Sequence, residues 1–188
     1  MTETPKNDSA PGGGVSTPGA PGARPVPPIV QGDMRIARDG TWYHEGTPFK
    51  RLPLVKLFST VLRRTEDGGY MLATPVERVA VEVEDAPFVA VEMVEEGEGE
   101  TLSLRFRTNI DEWVTLDDEH PLRVELDPAT GEPSPYILLR EGIEALVTRA
   151  VFYDLVERAE ERDDGKGQTM LGVRSAGGFF SLGTAPAE

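Results

Sequence analysis

The sequence predicts an α+β fold of two related halves, with mostly antiparallel sheets and a duplicated β-hairpin/helix/strand core. Three observations carry this. Clean two-residue alternation marks half-buried strands: Val79, Val81 and Val83 against Ala80, Glu82 and Glu84, and Leu102, Leu104 and Phe106 against Ser103, Arg105 and Arg107. Leu54, Val55, Leu57, Phe58, Val61 and Leu62 share one face at helical spacing. A similar pattern then recurs later in the chain.

Residues 1–32 precede the fold. Pro5, Pro11, Pro18, Pro21, Pro25, Pro27 and Pro28 stand there among Gly, Ala, Ser and Thr, with too few large apolar side chains to offset the entropy of ordering. The expectation is a disordered Pro/Gly-rich arm, open to a protein partner that reads Pro-rich segments.

The first half, residues 33–84, opens with "MRIA", the Asp39-Gly40 turn, "TWYH", the Glu45-Gly46 turn and "PFKR", a three-stranded meander. Asp-Gly between extended runs is a strong hairpin signal. Pro53 then suits a first helical position, and the helix runs to about Leu62. After the turn at residues 66–69 come the strands "YMLAT" and "VERVAVEV".

The second half, residues 85–188, packs closely on the first. It begins with "PFVAVEMV" and "TLSLRFRT", a hairpin around the acidic loop 95–100, and continues through "EWVTL", "LRVEL" and "YILLR". A second helix is expected from about Gly142. Ile143, Leu146, Val147 and Ala150 share one face, but Phe152, Leu155 and Val156 lie nearly opposite, which implies a break near Arg149 or burial on two sides. A polar turn, "ERDDGKGQ", and the short strands "TMLGV" and "GFFSL" close the fold.

The internal repeat pairs Arg51 with Arg140. Each is read as closing a strand, and each is followed by apolar residues three, six and seven places on: Leu54, Leu57 and Phe58, and Ile143, Leu146 and Val147.

Charge and composition exclude several functions. The 188 residues hold 33 acids against 19 Lys and Arg, a net charge of -14, which repels a phosphate backbone and argues against general nucleic-acid binding. A small anion in a local basic pocket is still compatible. Zero Cys excludes thiol catalysis, disulfides and thiolate metal sites, and suits a reducing cytoplasm. No run reaches the roughly 18 apolar residues of a membrane span.

Catalytic motifs are absent. His44 and His120 neighbour Glu45 and Glu119, and with Asp33, Asp85 or Asp118 brought close in the fold they would form an acid-base pair or a metal site. Adjacent strand residues point to opposite faces, so the spacing supports neither, and surface or turn-capping roles fit better. Thr74, Thr108 and Ser134 have no partner His in a readable arrangement. "DGGY" and "GEGE" lack the strand-loop-helix setting of a phosphate loop. No catalytic residue, metal ligand or cofactor is therefore assigned.

The arginines carry a binding hypothesis. Arg51 and Arg140 sit where a strand is read as handing over to a helix, beside free N–H groups that favour anions. With Arg107 and Arg149 converging, they would form an anion site. The plainer alternative is a set of structural ion pairs in an acid-rich chain. Trp42 and Phe88 are candidates for stacking on a ligand, against the simpler role of core aromatics.

The runs "RDGTWYHEGTPFKR", "TPVERVAVEVEDAPFVAVEM", "HPLRVEL" and "ALVTRAVFYDLVE", in this order, resemble the bacterial domain-of-unknown-function family 1285. The resemblance runs from about Asp33 to Glu157. It implies a duplicated α+β core whose second half superficially looks like a pleckstrin-homology domain. It also implies a ligand site between the halves for a nucleotide-like molecule, and a role in signalling. The reading is thus a cytoplasmic small-molecule-binding module. The alternatives are a hydrolytic enzyme using a His-carboxylate pair and a non-catalytic adaptor for protein partners.

Overall fold

A computed structural model describes residues 26–163, 165 and 168–184. The first half supplies β1 (Ile29–Ile36), β2 (Trp42–His44), β3 (Thr47–Pro48), α1 (Leu52–Val61), β4 (Leu62–Arg64), β5 (Tyr70–Ala73) and β6 (Arg78–Val83). The second supplies β7 (Phe88–Glu96), a 3-10 turn (Gly99–Thr101), β8 (Ser103–Thr108), β9 (Trp113–Thr115), β10 (Leu122–Leu126), β11 (Pro133–Arg140), β12 (Ile143–Val147) and α2 (Arg149–Glu157). It ends with β13 (Glu160–Asp163), β14 (Thr169–Ser175) and β15 (Gly178–Thr184).

Two six-stranded sheets run in the orders β3-β2-β1-β6-β5-β4 and β10-β11-β12-β7-β8-β9. Each consists of two three-stranded antiparallel meanders joined by one parallel pair, β1 with β6 in the first sheet and β7 with β12 in the second. Numbered from its own first strand, the second sheet repeats the order of the first. The core is duplicated at the level of sheet topology.

This register differs from the one expected from Arg51 and Arg140. Arg51 caps α1 in the link between the two meanders of the first sheet, whereas Arg140 ends β11 and leads through Glu141-Gly142 into β12. The helix expected from Gly142 begins at Arg149. Over five residues, apolar spacing satisfies both periods, and here period two wins: Ile143, Ala145 and Val147 are buried, and Glu144 and Leu146 only partly so. The phase jump read near Arg149 is the change from strand to helix.

The arm expected over residues 1–32 lies outside the described residues as far as residue 25. Ile29–Gly32 belong to β1, where Ile29 and Val30 pair with Arg78 and Val79. The pairing register shifts between Val30 and Met34. A Cβ at Gly32 would stand 2.2 Å from Val79 Cγ1, so this close approach of two strands requires glycine. The "ERDDGKGQ" segment, read as a turn, contributes β13, an edge strand whose four exposed residues carry no apolar alternation.

α1 starts one residue before Pro53 and buries Val55 and Ser59, while Leu57 faces solvent. In the second half six strands are followed by α2, and the sheet β13-β14-β15 follows it.

One hydrophobic cluster serves both halves. Ile36, Trp42, Leu62 and Val81 come from the first, and Phe88, Phe106, Ile137, Ile143, Leu155 and Val173 from the second. Trp42 lies between Phe58 of its own half, at 6.5 Å and 12° between ring planes, and Phe88 of the other half, at 6.3 Å and 32°. The Asp39-Gly40 turn reaches the second half directly. Gly40 has φ +80, and a Cβ there would stand 2.5 Å from Asn109 Nδ2, which donates to Gly40 O at 3.1 Å.

The third sheet is fastened through Ser175, which is fully buried. Its hydroxyl donates to Leu116 O at 2.6 Å and accepts the Leu104 N–H at 2.8 Å. Ser175→Ala is expected to lower unfolding free energy in urea by about 2–4 kcal/mol, because two buried backbone groups lose their partner. A loss below about 0.5 kcal/mol would show that the hydroxyl does not hold the sheet.

Candidate functional site

The structure does not gather the four arginines at one point. Arg107 on β8 donates from Nε to Glu92 at 2.6 Å and from Nη1 to Asp111 at 3.0 Å. The other Asp111 oxygen accepts from Lys56 of α1 at 3.1 Å, and Lys56 first, then Arg107, hold the Asp111 carboxyl below its usual pKa. Arg140 binds both oxygens of Glu112, at 3.1 and 3.2 Å, and donates from Nη2 to Ser59 O in α1 at 2.9 Å. Its guanidinium stands 5.7 Å from the Phe88 ring centre. Arg140 therefore ties α1 to the turn between β8 and β9, and Arg107 braces that turn through Asp111, which Lys56 of α1 reaches from the other half.

Arg51 is exposed at the start of α1, with no side-chain hydrogen bond or ion pair among the described residues. Arg149, the first residue of α2, pairs with Glu132. Trp42 and Phe88 are 1% and 0% exposed, so neither ring offers a face to a ligand from solvent. Their stacking is internal to the core, because the two sheets close over them.

The histidines also separate. His44 is exposed and stacks on Phe49 at 6.4 Å. His120 Nδ1 lies 2.9 Å from Oδ1 of Asp117, and not beside Glu119 or Asp118, the acids its sequence neighbourhood suggests. That oxygen also accepts the backbone N–H groups of Glu119 and His120, which makes the unit a turn clip. Burial works to raise the Asp117 pKa, but the hydrogen bonds from His120 prevail and hold it low. No group of three or more residues suited to hold a metal ion occurs among the described residues.

A different set of residues forms a cleft at the junction of the halves. Because β1 and β6 run parallel, with Ile36 beside Val83, the chain leaves both strands at the same end. Arg38 and Asp85, two residues beyond, are thereby brought together. The same relation between β7 and β12 turns the chain into α2 beside them, through the Thr148 N–H bond to Ala90 O.

The cleft measures about 860 Å³, and its lining includes Arg38, Asp85, Ser134, Tyr136, Arg149 and Phe152. A second hollow of about 320 Å³ shares Asp85, Glu125 and Tyr136 with it and adds Arg64, Arg123 and Glu144.

Asp85 is the centre of this region, with a side chain only 13% exposed. Its Oδ1 accepts from the Tyr136 hydroxyl at 2.8 Å, and its Oδ2 faces Arg38 Nη2 at 3.2 Å. Arg38 also donates to Ser134 Oγ at 3.4 Å, and its backbone N–H donates to Glu84 at 3.0 Å. Arg123 lies 4.4 Å from the Tyr136 ring centre and binds Glu144 at 2.8 and 3.1 Å. Burial, and after it the Asp85 carboxylate, pushes the Tyr136 hydroxyl up to about 12. At neutral pH this phenol is a hydrogen-bond donor and not a base.

Nothing local in the sequence marks Arg38 or Tyr136, and Asp85 stands out there only as a candidate partner for histidine. No local pattern couples residues that lie 51 apart in the chain, as Asp85 and Tyr136 do.

Residues 26–86 match the family model of the N-terminal DUF1285 domain, described as a domain of unknown function, and residues 87–182 match that of the C-terminal domain, a protein of unknown function. The chain belongs to the DUF1285 family. The crystal structure of a DUF1285 family protein from Silicibacter pomeroyi DSS-3 is similar at 45% identity and TM-score 0.75, over 85% of this chain and 84% of that one. One from Shewanella baltica OS155 is similar at 28% identity and TM-score 0.52, over 65% of this chain and 89% of the other. Comparison with curated proteins finds no match. Within this DUF1285 protein, Asp85 falls in the N-terminal match and Tyr136 in the C-terminal one, so the cleft joins the two domains.

The state of Tyr136 is measurable. Its pKa is raised from the ordinary 10.0, so the stability it contributes is full below pH 10 and is lost as pH rises towards about 12. In an alkaline absorbance titration, one of the four tyrosines should ionise near pH 12 and be missing in Tyr136→Phe. Asp85→Asn should lower that pKa while burial keeps it above 10. Ionisation of all four together near pH 10 would contradict the site geometry.

Proposed function

We propose that this DUF1285 protein is a non-catalytic module that binds a small molecule in the cleft between its halves and serves in signalling in the cytoplasm. Arg38, Asp85, Ser134, Tyr136 and Arg149 are the groups that would meet the ligand. One observation carries the reading: a cleft of about 860 Å³, within the range that encloses a small molecule, on which fixed polar groups converge from both halves. Of the arginines singled out from sequence, Arg149 is the one that lines it. A ligand held by both halves alters how firmly they are tied together, which suits a sensor. No described helix is long and apolar enough to cross a membrane. The cytoplasmic assignment rests on the absence of Cys.

The hydrolytic alternative draws on His120 and Asp117 at 2.9 Å. Neither residue lines either cleft, and Asp117 is engaged in closing its own turn. Binding is the better supported reading.

Native mass spectrometry of protein purified without denaturation tests it. The wild type should carry a bound small molecule, whose mass also decides for or against a nucleotide-like ligand. Ser134→Trp, which fills the cleft, should lose the adduct while its circular dichroism is unchanged. A wild type with no adduct, or an adduct retained by the variant, would overturn the proposal.

A further inference from the structure

The chemistry of the cleft defines its ligand further, on the premise that the cleft is the binding site. Its lining holds five carboxylates, Glu84, Asp85, Glu125, Asp127 and Glu132, against two guanidiniums, an excess of three. Both guanidiniums already have carboxylate partners, Arg38 on Asp85 and Arg149 on Glu132, and Arg35 and Arg123, outside the lining, pair with Glu84 and Glu125, which leaves an excess of one carboxylate, Asp127. The start of α2 opposes this excess with about half a positive charge, too little to reverse it. An anion entering here meets net repulsion, and a cation meets attraction.

Aromatic rings complete the environment. Tyr136, Phe152 and Tyr153 line the cleft, and the 4.4 Å approach of Arg123 to the Tyr136 ring shows a guanidinium already resting on one of them.

Within the site, the contact between Arg38 and Asp85 is asymmetric. Asp85 is 13% exposed and fixed by the Tyr136 hydroxyl at 2.8 Å, whereas the Arg38 side chain is 63% exposed and held at 3.2 and 3.4 Å. The carboxylate is the built part, and the cation on it is loosely held, as exposed ion pairs are. We infer that the ligand is a small organic cation, an amine or guanidinium compound, whose charged group takes the place of Arg38 on Asp85 and Ser134. Arg38 then acts as an internal competitor that keeps the carboxylate paired when the cleft is empty.

The test uses spermidine and agmatine as cations and AMP and citrate as anions, at equal physiological ionic strength, read by thermal shift and by calorimetric titration. The full chain is compared with Asp85→Asn, Arg38→Gln, and a control carrying Glu95→Gln, Glu98→Gln and Glu100→Gln on the acidic hairpin, none of which lines the cleft. At least one cation should raise the melting temperature of wild type and control by several degrees with one-to-one stoichiometry, and the anions should not. Asp85→Asn should lose the shift measured from its own melting temperature. Arg38→Gln should tighten cation binding roughly two- to fivefold, the scale of an exposed ion pair, whereas a merely structural Arg38 would leave affinity unchanged or weaken it.

Equal shifts in wild type and Asp85→Asn, or a shift lost in the hairpin control, would mean diffuse attraction to an acidic surface and overturn the inference. A shift by AMP or citrate without one by the amines overturns the cation but leaves the cleft as a binding site. If none of the four compounds shifts the wild type, the cation is overturned, and a native adduct lost in Ser134→Trp decides separately whether the cleft reading stands. If Asp85→Asn fails to fold, the sign of the Arg38→Gln effect decides.

Discussion

Everything in this protein depends on the two sheets sharing one hydrophobic core. Trp42, from the second strand of the first half, is sealed by Phe58 on one side and by Phe88, from the first strand of the other half, on the other. Each such side chain stabilises the fold by about 1.5–3 kcal/mol on full burial, so separating the halves would expose several of the largest contributors at once. The packing is strong enough to tolerate a cost. Trp42 Nε1 is buried without a hydrogen-bond partner among the described residues, a penalty of about 1–3 kcal/mol.

Polar ties then fix the orientation that the core leaves open. Asn109 grips the Gly40 turn, Arg140 reaches the last turn of α1, and Lys56 meets Asp111 across the junction. The parallel pair in each sheet has a second consequence, because it delivers Arg38 and Asp85 to the same end of the first sheet, facing the corner where β12 turns into α2. The cleft is thus a product of topology. It lies where the shared core ends, and neither half forms it alone.

Much of this architecture could be read from local pattern. The Asp39-Gly40 turn, the helix after Pro53, the alternation in β6 and β8 and the hairpin around the acidic loop each rest on residues within a few positions of one another. The segment 143–147 could not be read this way, because five residues with apolar side chains at every second place also fit a helix face when a helix follows directly. β13 left no apolar trace at all. The site was the least readable part. Arg107 and Arg140 have the chemistry of an anion site, but Glu92, Asp111 and Glu112 are placed to meet them. The pair that does occupy the cleft, Asp85 and Tyr136, is assembled only by the packing of one sheet on the other.

The halves behave as one body with the cleft built into their junction, which native-state hydrogen exchange can test. The slowest amides of β6 in the first sheet and of β12 in the second should exchange with the same free energy, equal to that of global unfolding. An opening of the first sheet several kcal/mol below that of the second would contradict a single cooperative body. The halves would then be separable modules, and the cleft a passing contact between them.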